Sequence, residues 1–378
     1  MIYLDNSAST LIKPKQVIKA VNDCLLYYTA NPGRSGHKAS IKTALQVEKA
    51  RETVASFFGA NAENVIWTYN CTHALNIAIL GSAKQNGHIV ATENEHNSVL
   101  RPLEHLKNTK KISYSIAKQH TPKGITLEDI KRHIKPNTYM VICNHLSNVN
   151  GDKAEIKEIG AFCKENKLIF VVDGAQSGGH IPIDIKENNI DYLAIAGHKG
   201  FYAPQSIGAL IMNENYRPTP IIFGGTGTNS FDLSQPEISP ERYESGTIST
   251  PLIMGLMEGI NFVKSNFALI TNKLDDLTTY LNYELRSNGI TSYTATENGY
   301  GVLSFNIGNL DSSFVADTLN SKYNICVRSG LHCAPLKHQA LGTTRQGTVR
   351  VSLSYFNTFS EIQKLLLAIK QIKKTSMK

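Results

Sequence analysis

Short apolar runs that alternate with helical segments limit the folds open to this chain more than any other feature does. The runs are strand-length and continuously apolar, and they are Val65 to Tyr69, Ile89 to Thr92, Tyr139 to Cys143, Leu168 to Val172, Tyr192 to Ile195 and Ile207 to Met212. A strand that is apolar on both faces is typical of a parallel sheet with helices packed on each side. The sequence therefore predicts an α/β fold with a mostly parallel sheet.

The pattern changes after about Pro251. Two long helical stretches are followed by two isolated strands, at Leu252 to Phe267, Asn272 to Arg286, Gly301 to Ile307 and Thr348 to Leu353. This order predicts a smaller α+β domain at the C-terminal end. At 378 residues the chain exceeds the size at which one core keeps growing, so we expect two domains. Residues 14–251 would form the large domain, and residues 1–13 with 252–378 the small one, with a ligand cleft between them.

The composition excludes several classes of protein. Hydrophobic residues make up 41% and charged residues 19%, so neither a disordered nor a fibrous chain is indicated. The formal charge of +8 is spread out without a zinc-finger or RNA-binding motif, so we expect no nucleic-acid partner. Attraction to acidic proteins or anionic metabolites stays open. No apolar run approaches the roughly 18 residues that cross a bilayer, and no secretory signal is recognisable. We expect no membrane partner and a cytoplasmic location.

One cysteine differs from the others. The six cysteines show no CxxC pair and no metal-like cluster, which predicts reduced thiols and no metal site, and they are Cys24, Cys71, Cys143, Cys163, Cys326 and Cys333. Cys333 lies between Gly330 and Pro335, which predicts a loop. Arg328 and His332 precede it and would favour a thiolate, so Cys333 is a candidate nucleophile.

Two charged residues follow the ends of predicted strands. Lys199 comes after the strand that ends at Ile195, beside glycine residues. A lysine that forms a Schiff base must lose its proton part of the time, although a solvated surface lysine is the commoner explanation for one such motif. Asp173 ends an apolar strand and would point into a crevice at the carboxyl edge of the sheet, where it can pair with a pyridine nitrogen. A helix N-cap is the competing interpretation of Asp173.

Other segments carry weaker indications of a site. Arg350 lies within an apolar strand and needs an anionic partner, which is either a substrate carboxylate or a structural carboxylate. His96 follows a strand, where an imidazole can stack on a flat ring. Residues 70–76 join a strand to a helix, the position where backbone N–H groups hold phosphate. The glycine-rich residues 224–228 follow no phosphate-loop pattern.

Short motifs run through the chain in one order. They are Tyr3-Leu-Asp-Asn-Ser-Ala-Ser-Thr, Asn31-Pro-Gly-Arg-Ser-Gly-His, Glu95-His-Asn-Ser-Val, His145-Leu-Ser-Asn-Val-Asn-Gly, Val172-Asp-Gly-Ala-Gln, Gly197-His-Lys, Glu244-Ser-Gly-Thr, Arg328-Ser-Gly-Leu-His-Cys-Ala-Pro and Tyr355-Phe-Asn-Thr. The ordered set resembles the cysteine desulfurases, SufS- and NifS-like members of the class V aminotransferase group. That resemblance covers nearly the whole chain and implies the PLP-dependent transferase fold type I.

The resemblance implies a role for each matching residue. Lys199 would be the Schiff-base lysine that carries pyridoxal 5'-phosphate and moves protons. Asp173 would pair with the pyridinium nitrogen, Gln176 would bind the phenolic oxygen, and His96 would stack on the ring.

The phosphate and substrate sites are implied in the same way. Thr72, the backbone around Cys71, and His198 would hold the phosphate, with Thr247 reaching in from a second subunit of a homodimer. The substrate carboxylate would bind to two further residues, Asn148 and Arg350. Cys333 would accept the sulfur, as in members with a short catalytic loop.

The implied reaction converts L-cysteine to L-alanine and leaves a persulfide on Cys333 for delivery to a sulfur-acceptor protein, as in iron-sulfur cluster assembly. Two alternatives stay open: selenocysteine lyase or another class V aminotransferase-type reaction, and a sulfur-relay protein without catalysis. Ala196 stands where Ser or Thr commonly donates to the phosphate, and Cys71 where a small or hydroxyl residue is usual. The first departure predicts one phosphate donor fewer and weaker cofactor binding.

Overall fold

The computed structural model describes residues 1–33, 35–110, 112–122, 124–228, 230–297 and 299–376, so Arg34 of the motif that starts at Asn31 lies outside the described residues. The strands are β1 (Ile2–Tyr3), β2 (Val65–Thr68), β3 (His88–Thr92), β4 (Ser113–Ala117), β5 (Thr138–Asn144), β6 (Ile169–Asp173), β7 (Tyr192–Ala196), β8 (Gly208–Met212), β9 (Thr291–Ser292), β10 (Val302–Asn306), β11 (Ile325–Cys326) and β12 (Val349–Ser352).

The helices are α1 (Lys15–Tyr27), α2 (Lys38–Phe58), α3 (Cys71–Gly81), α4 (Asn97–Thr109), α5 (Leu127–Lys131), α6 (Ile156–Glu165), α7 (Thr250–Ser287), α8 (Ser312–Tyr323), α9 (Pro335–Ala340) and α10 (Phe359–Ser376). Helix α1 begins directly after Pro14, where the fixed φ of proline suits a helix start. Helix α2 ends at Gly59, which adopts the left-handed conformation with φ 69°.

Seven strands form the central sheet, in the order β2-β8-β7-β6-β5-β3-β4. Every neighbouring pair from β7 to β4 is parallel, and only β8 runs against its neighbours β2 and β7. The mostly parallel sheet is therefore confirmed. The six apolar runs predicted as strands all lie in it. The edge strand β4 escaped prediction because its polar sequence Ser-Tyr-Ser-Ile-Ala pairs on one side only and stays partly exposed.

Each face of the sheet carries its own core. Along β5, Val141 and Cys143 pack into one cluster of buried side chains while Met140 and Ile142 pack into the other, because successive strand residues point to opposite faces. The second cluster also takes in buried residues of α3 and α4. Both faces of the sheet are therefore dry, which explains why its strands are continuously apolar.

The segment after β8 is built differently. The two helical stretches predicted after Pro251 are the two arms of α7, which meet at a kink where the backbone of Asn266 leaves helical geometry. Strands β12, β10 and β9 form an antiparallel sheet, and β1 pairs in parallel with β11, so the N-terminus joins the C-terminal part. Since α7 also packs on α1 and α2, the boundary near residue 251 stays a prediction. In the described part of the chain, no helix has both the length and the apolar character needed to span a bilayer.

Candidate active site

A cavity of about 220 Å³ lies at the carboxyl edge of the parallel strands. Strand β6 ends there at Asp173 and β5 at Asn144, while Lys199 lies three residues beyond the end of β7. Polar side chains that follow neighbouring parallel strands meet at the same sheet edge, which is where α/β folds place their ligands. The structure brings together nine of the eleven residues proposed from the sequence, namely Cys71, Thr72, His96, Asn148, Asp173, Gln176, His198, Lys199 and Arg350.

The acid and the base of this cavity influence each other. Asp173 is 2% exposed, and its Oδ1 accepts hydrogen bonds from Ala175 N at 2.9 Å and from the Cys71 thiol at 3.5 Å. Burial lowers the pKa of the Lys199 amine, an effect that the Asp173 carboxylate partly offsets. Burial and Asp173 both raise the pKa of Cys71 well above its ordinary value. Lys199 is therefore easier to deprotonate than a surface lysine, whereas Cys71 stays a neutral thiol that supports Asp173.

His96 caps the N-terminus of α4 and lines the cavity. Its Nδ1 accepts a hydrogen bond from Ser98 N at 3.1 Å, so we assign the proton of the neutral ring to Nε2. Burial lowers the pKa of His96 to about 4, partly offset by Asp173. At neutral pH His96 therefore presents an uncharged, flat imidazole to the cavity.

The N-terminus of α3 forms one end of the cavity. Asn70 caps the helix by accepting hydrogen bonds from His73 N on its side-chain Oδ1, at 2.9 Å, and from Ala74 N on its backbone oxygen. The N–H groups of Cys71 and Thr72 belong to the first turn and have no carbonyl within the helix to bind. Beside them, burial lowers the pKa of His198 to about 4. A helix N-terminus with free amides suits an anion.

Arg350 lies on β12 and is only 1% exposed. Its Nη2 donates to Asp5 Oδ1 at 2.7 Å, and its Nη1 donates to the backbone oxygen of Asn148 at 3.0 Å. Its Nε has no partner within the described residues. The structural ion pair that competed with a substrate carboxylate as the partner of Arg350 is thus present in the molecule. Asp5 therefore belongs to the site. In the sequence it stood out only as part of a motif, and no role was predicted for it.

Residues 327–334 form the segment that carries Cys333, called here the thiol loop. His332 and Cys333 both adopt left-handed backbone conformations, with φ 49° and 59°, which are costly for residues other than glycine. Two backbone contacts hold them: Asn148 Nδ2 donates to His332 O at 2.7 Å, and Asn97 N donates to Cys333 O at 2.8 Å. The half-buried Cys333 is thereby fixed beside the cavity.

The two residues expected to favour a thiolate on Cys333 lie in different surroundings. Arg328 Nη2 lies 3.9 Å from the Cys333 Sγ, so one positive charge does lie beside the thiol. The expectation for His332 is wrong, because burial lowers its pKa to about 2 and its Nε2 lies 3.0 Å from Thr348 Oγ1. His332 is therefore a neutral structural residue. A loop position in a sequence gives no sign that its side chain is buried.

A buried ion pair anchors the helix that follows the thiol loop. Lys337 in α9 donates to Asp152 Oδ2 at 2.8 Å and to Gln119 Oε1 at 3.0 Å, and both charged side chains are 3% exposed. Asp152 follows Asn148 by four positions, so one short segment touches both the thiol loop and α9. This pair was not predicted from the sequence, since a lysine in the first turn of a short helix has the pattern of a surface residue.

Thr247 does not join the other candidates within this chain. It is exposed, does not line the cavity, and accepts a hydrogen bond from Asn31 Nδ2 at 3.5 Å. The motif before it is anchored by Glu244, which forms a buried ion pair with Arg51 at 2.8 Å. An action of Thr247 on a second subunit stays a prediction.

Three comparisons with known proteins match nearly the whole chain. Residues 2–365 match the model of the family described as aminotransferase class V. A probable cysteine desulfurase from Methanothermobacter thermautotrophicus is 33% identical over 382 residues, which cover 98% of this chain and 94% of that protein. For the probable cysteine desulfurase of Pyrococcus abyssi the identity is 33% over 388 residues, with 99% and 95% coverage. A solved apo structure of a cysteine desulfurase from Thermococcus onnurineus NA1 matches with a TM-score of 0.92 and 32% identity, covering 99% of this chain and 95% of that one. The match confirms the fold that the motifs imply.

Proposed function

Because this chain belongs to the class V aminotransferase family, we propose that it is a cysteine desulfurase, which converts L-cysteine to L-alanine and keeps the sulfur on Cys333. One observation carries the proposal: a half-buried cysteine on a strained loop lies beside the cavity of Lys199 and Asp173. Arg328 lines that cavity and reaches the Cys333 Sγ. Simple amino transfer has no use for a thiol held in this way.

The residues around the cavity fit pyridoxal 5'-phosphate. An amine that gives up its proton readily, a buried carboxylate and a flat neutral imidazole surround it, at Lys199, Asp173 and His96. The free amides at the start of α3 and the neutral His198, whose Nδ1 is buried without a partner among the described residues, suit its phosphate end. When bound, the cofactor supplies an aldehyde that takes up the substrate amine and a ring that withdraws electrons from the substrate Cα.

Within such a site each residue has a physical task. Lys199 would hold the cofactor and would then move the proton of the substrate Cα, a role that its lowered pKa favours. Asp173 would hold a proton on the ring nitrogen, and Gln176, whose Nε2 already donates to Ser7 O at 3.1 Å, has a second N–H for the phenolic oxygen. His96 would cover one face of the ring.

The substrate carboxylate would bind at Arg350 and Asn148. Arg350 is buried and its Nη2 is already paired with Asp5, so the substrate carboxylate must share or replace that contact. The Asp5 side chain is 21% exposed, so water can reach its carboxylate when the substrate takes its place. Binding of substrate and release of Asp5 would therefore be linked.

The sulfur step would use Cys333 as a nucleophile. Its thiolate attacks the substrate sulfur, the new S–S bond forms, and the bond between sulfur and Cβ breaks. The electron pair of that bond stays on carbon, where a proton completes alanine. Arg328 is placed to stabilise negative charge on Cys333 before and after the attack.

We also propose a homodimer. The segment before Thr247 exposes the whole of two large apolar side chains, Phe231 and Leu233, which a soluble monomer would seldom do. Thr247 would then reach the phosphate end of the partner's cavity. Light scattering should give twice the mass of one chain, and a fully active monomer at nanomolar concentration would contradict the dimer.

Incubation with L-cysteine while measuring alanine and sulfide together tests the activity. Equal amounts of alanine and released or protein-bound sulfur support desulfuration. A parallel series with selenocysteine separates the two chalcogen substrates, and alanine from selenocysteine alone would reject the proposal.

A further inference from the structure

A second cavity, called here the outer cavity, has a volume of about 400 Å³ and lies between α3, α4 and the thiol loop. Cys333 forms part of its wall, together with Asn76, Arg101, Pro102 and His105. It shares Thr72, His96 and Ser98 with the cavity of Lys199. Cys333 is therefore reachable from the outer cavity.

The surroundings of the outer cavity are positively charged. Arg101 forms no ion pair within the described residues, and no acidic side chain lines the outer cavity. Glu104, one turn along α4, is already engaged by Lys107 at 3.2 Å and by the Tyr114 hydroxyl at 2.7 Å.

A second guanidinium lies near the same thiol. The positive charges of Arg101 and Arg328 both act on the His96 ring, and Arg101 lines the outer cavity together with Cys333. In the described part of the chain, Arg328 makes one side-chain hydrogen bond, to the Cys333 sulfur at 3.9 Å. Neither arginine has a carboxylate partner among the described residues.

We propose that the outer cavity binds the sulfur acceptor in the form of a small thiol that carries at least one carboxylate. The inference rests on the proposed function and adds the class of the second substrate. The volume suits a small molecule. Arg101 would bind the carboxylate, and the Asn76 amide, whose Nδ2 already donates to Thr72 O at 2.8 Å, would offer a neutral polar contact.

The transfer step balances without an added oxidant. The acceptor thiolate attacks the outer sulfur of the Cys333 persulfide, a new S–S bond forms on the acceptor, and the bond to Sγ breaks. The electron pair leaves with Cys333 as its thiolate, and the acceptor departs as a persulfide. Both partners are negatively charged as they approach, so Arg101 and Arg328 reduce a repulsion that would otherwise slow the step.

The charge of the outer cavity is tested first without any turnover. Cys333 of the purified holoenzyme is alkylated with iodoacetate, which is anionic, or with iodoacetamide, which is neutral. The rate with iodoacetate is divided by the rate with iodoacetamide. The same quotient for N-acetylcysteine amide corrects for the intrinsic reactivity of the two reagents. We expect the anionic reagent to be favoured, and Arg101→Gln to lower that preference by about three- to fivefold. The control Arg132→Gln, which removes an exposed arginine that lines neither cavity, should leave it unchanged. An unchanged ratio in Arg101→Gln would overturn the inference.

The second measurement uses the persulfide. The enzyme is loaded with L-cysteine, freed of it, and mixed with mercaptosuccinate or with cysteamine, which are anionic and cationic thiols. We expect faster discharge by mercaptosuccinate, with the difference lost in Arg101→Gln. Persulfide that forms but discharges equally to both thiols would reject the acceptor site and leave the proposed function standing. Absence of any persulfide on Cys333 would reject both.

Discussion

The two halves of the candidate site are held in place by different means. Asp173 and Lys199, called here the floor, lie at the end of β6 and three residues beyond the end of β7, next to the point where these two strands pair. The thiol loop, in contrast, pairs with β12 only in its first part, through backbone hydrogen bonds of Arg328 and Gly330. Its left-handed residues His332 and Cys333 lie beyond that pairing, and their backbone oxygens are held by single contacts from Asn148 and Asn97. A rigid sheet edge suits chemistry that many reactions share, while a loop suits a nucleophile that must meet two partners.

The difference between the two regions predicts two kinds of damage. A change at the floor should remove cofactor attachment together with every later step. A change around the thiol loop should leave the cofactor in place and affect only sulfur transfer, or the stability of the segment.

The largest effect is expected at the floor, for Lys199→Ala. Loss of the base should reduce alanine formation by about a thousandfold or more, in line with the upper range for general acid–base catalysis. The cofactor should also no longer become covalently fixed by borohydride, which mass spectrometry of the protein measures. A covalently reducible cofactor in this variant would show that another residue is the attachment site.

The second-largest effect is expected when the buried ion pair between Lys337 of α9 and Asp152 is broken. Lys337→Met removes one partner of this buried ion pair, a change that costs up to about 3–5 kcal/mol of unfolding free energy. Asp152 keeps its hydrogen bonds from Asn150 and Gln119. Urea unfolding measures the loss. The double variant Lys337→Met with Asp152→Leu should recover part of it, because the carboxylate that faced Lys337 is removed as well.

The same variant sharpens the comparison between the two regions. Cofactor content per chain should stay near that of the unmodified protein, while alanine formation falls, since α9 follows the thiol loop directly. A proportional loss of cofactor would mean that the floor depends on this anchor as well.

Acid should weaken the thiol loop through His332. Its pKa is about 2 in the folded chain but near the ordinary 6.5 when unfolded, so between these values the unfolded state binds more protons. Stability contributed by the neutral ring is therefore present above pH 6.5 and falls as the pH is lowered. From pH 7 to pH 5 this one group should lower the free energy of unfolding by about 2 kcal/mol.

The matched variant for this effect is His332→Gln, which keeps a neutral polar side chain. Urea unfolding at pH 7 and pH 5 should show a difference about 2 kcal/mol smaller than in the unmodified protein. Equal pH dependence of the two proteins would mean that His332 does not stay neutral on folding.

The smallest effect is expected at the edge of the substrate site. Asp5→Asn removes the carboxylate that occupies Arg350, so the substrate carboxylate no longer competes with it. We expect KM for cysteine to fall by roughly tenfold, the worth of one charge-assisted hydrogen bond, with kcat little changed. A rise in KM would show that Asp5 orients Arg350 for the substrate.

The floor could be predicted from the sequence better than the residues around it. Asp173 and Lys199 were predictable because apolar strands end directly before them and motifs surround them. The partner of Arg350 lies 345 positions away at Asp5, and that of Lys337 lies 185 positions away at Asp152. Such pairs form only when distant segments meet, so no local pattern reveals them. The expectation that His332 supports a thiolate was wrong for the same reason, since tertiary contacts decide whether a loop side chain is buried.

The central claim is that Cys333 takes the sulfur by direct attack, and one measurement tests it most closely. After incubation with L-cysteine, the peptide that contains Cys333 is examined by mass spectrometry, with the Cys333→Ala protein treated in parallel. The account predicts one added sulfur on that peptide, removable by a reductant, while Cys333→Ala still changes the cofactor absorbance with cysteine but forms little alanine. Cys333→Ala protein that produced alanine near the original rate would contradict the account.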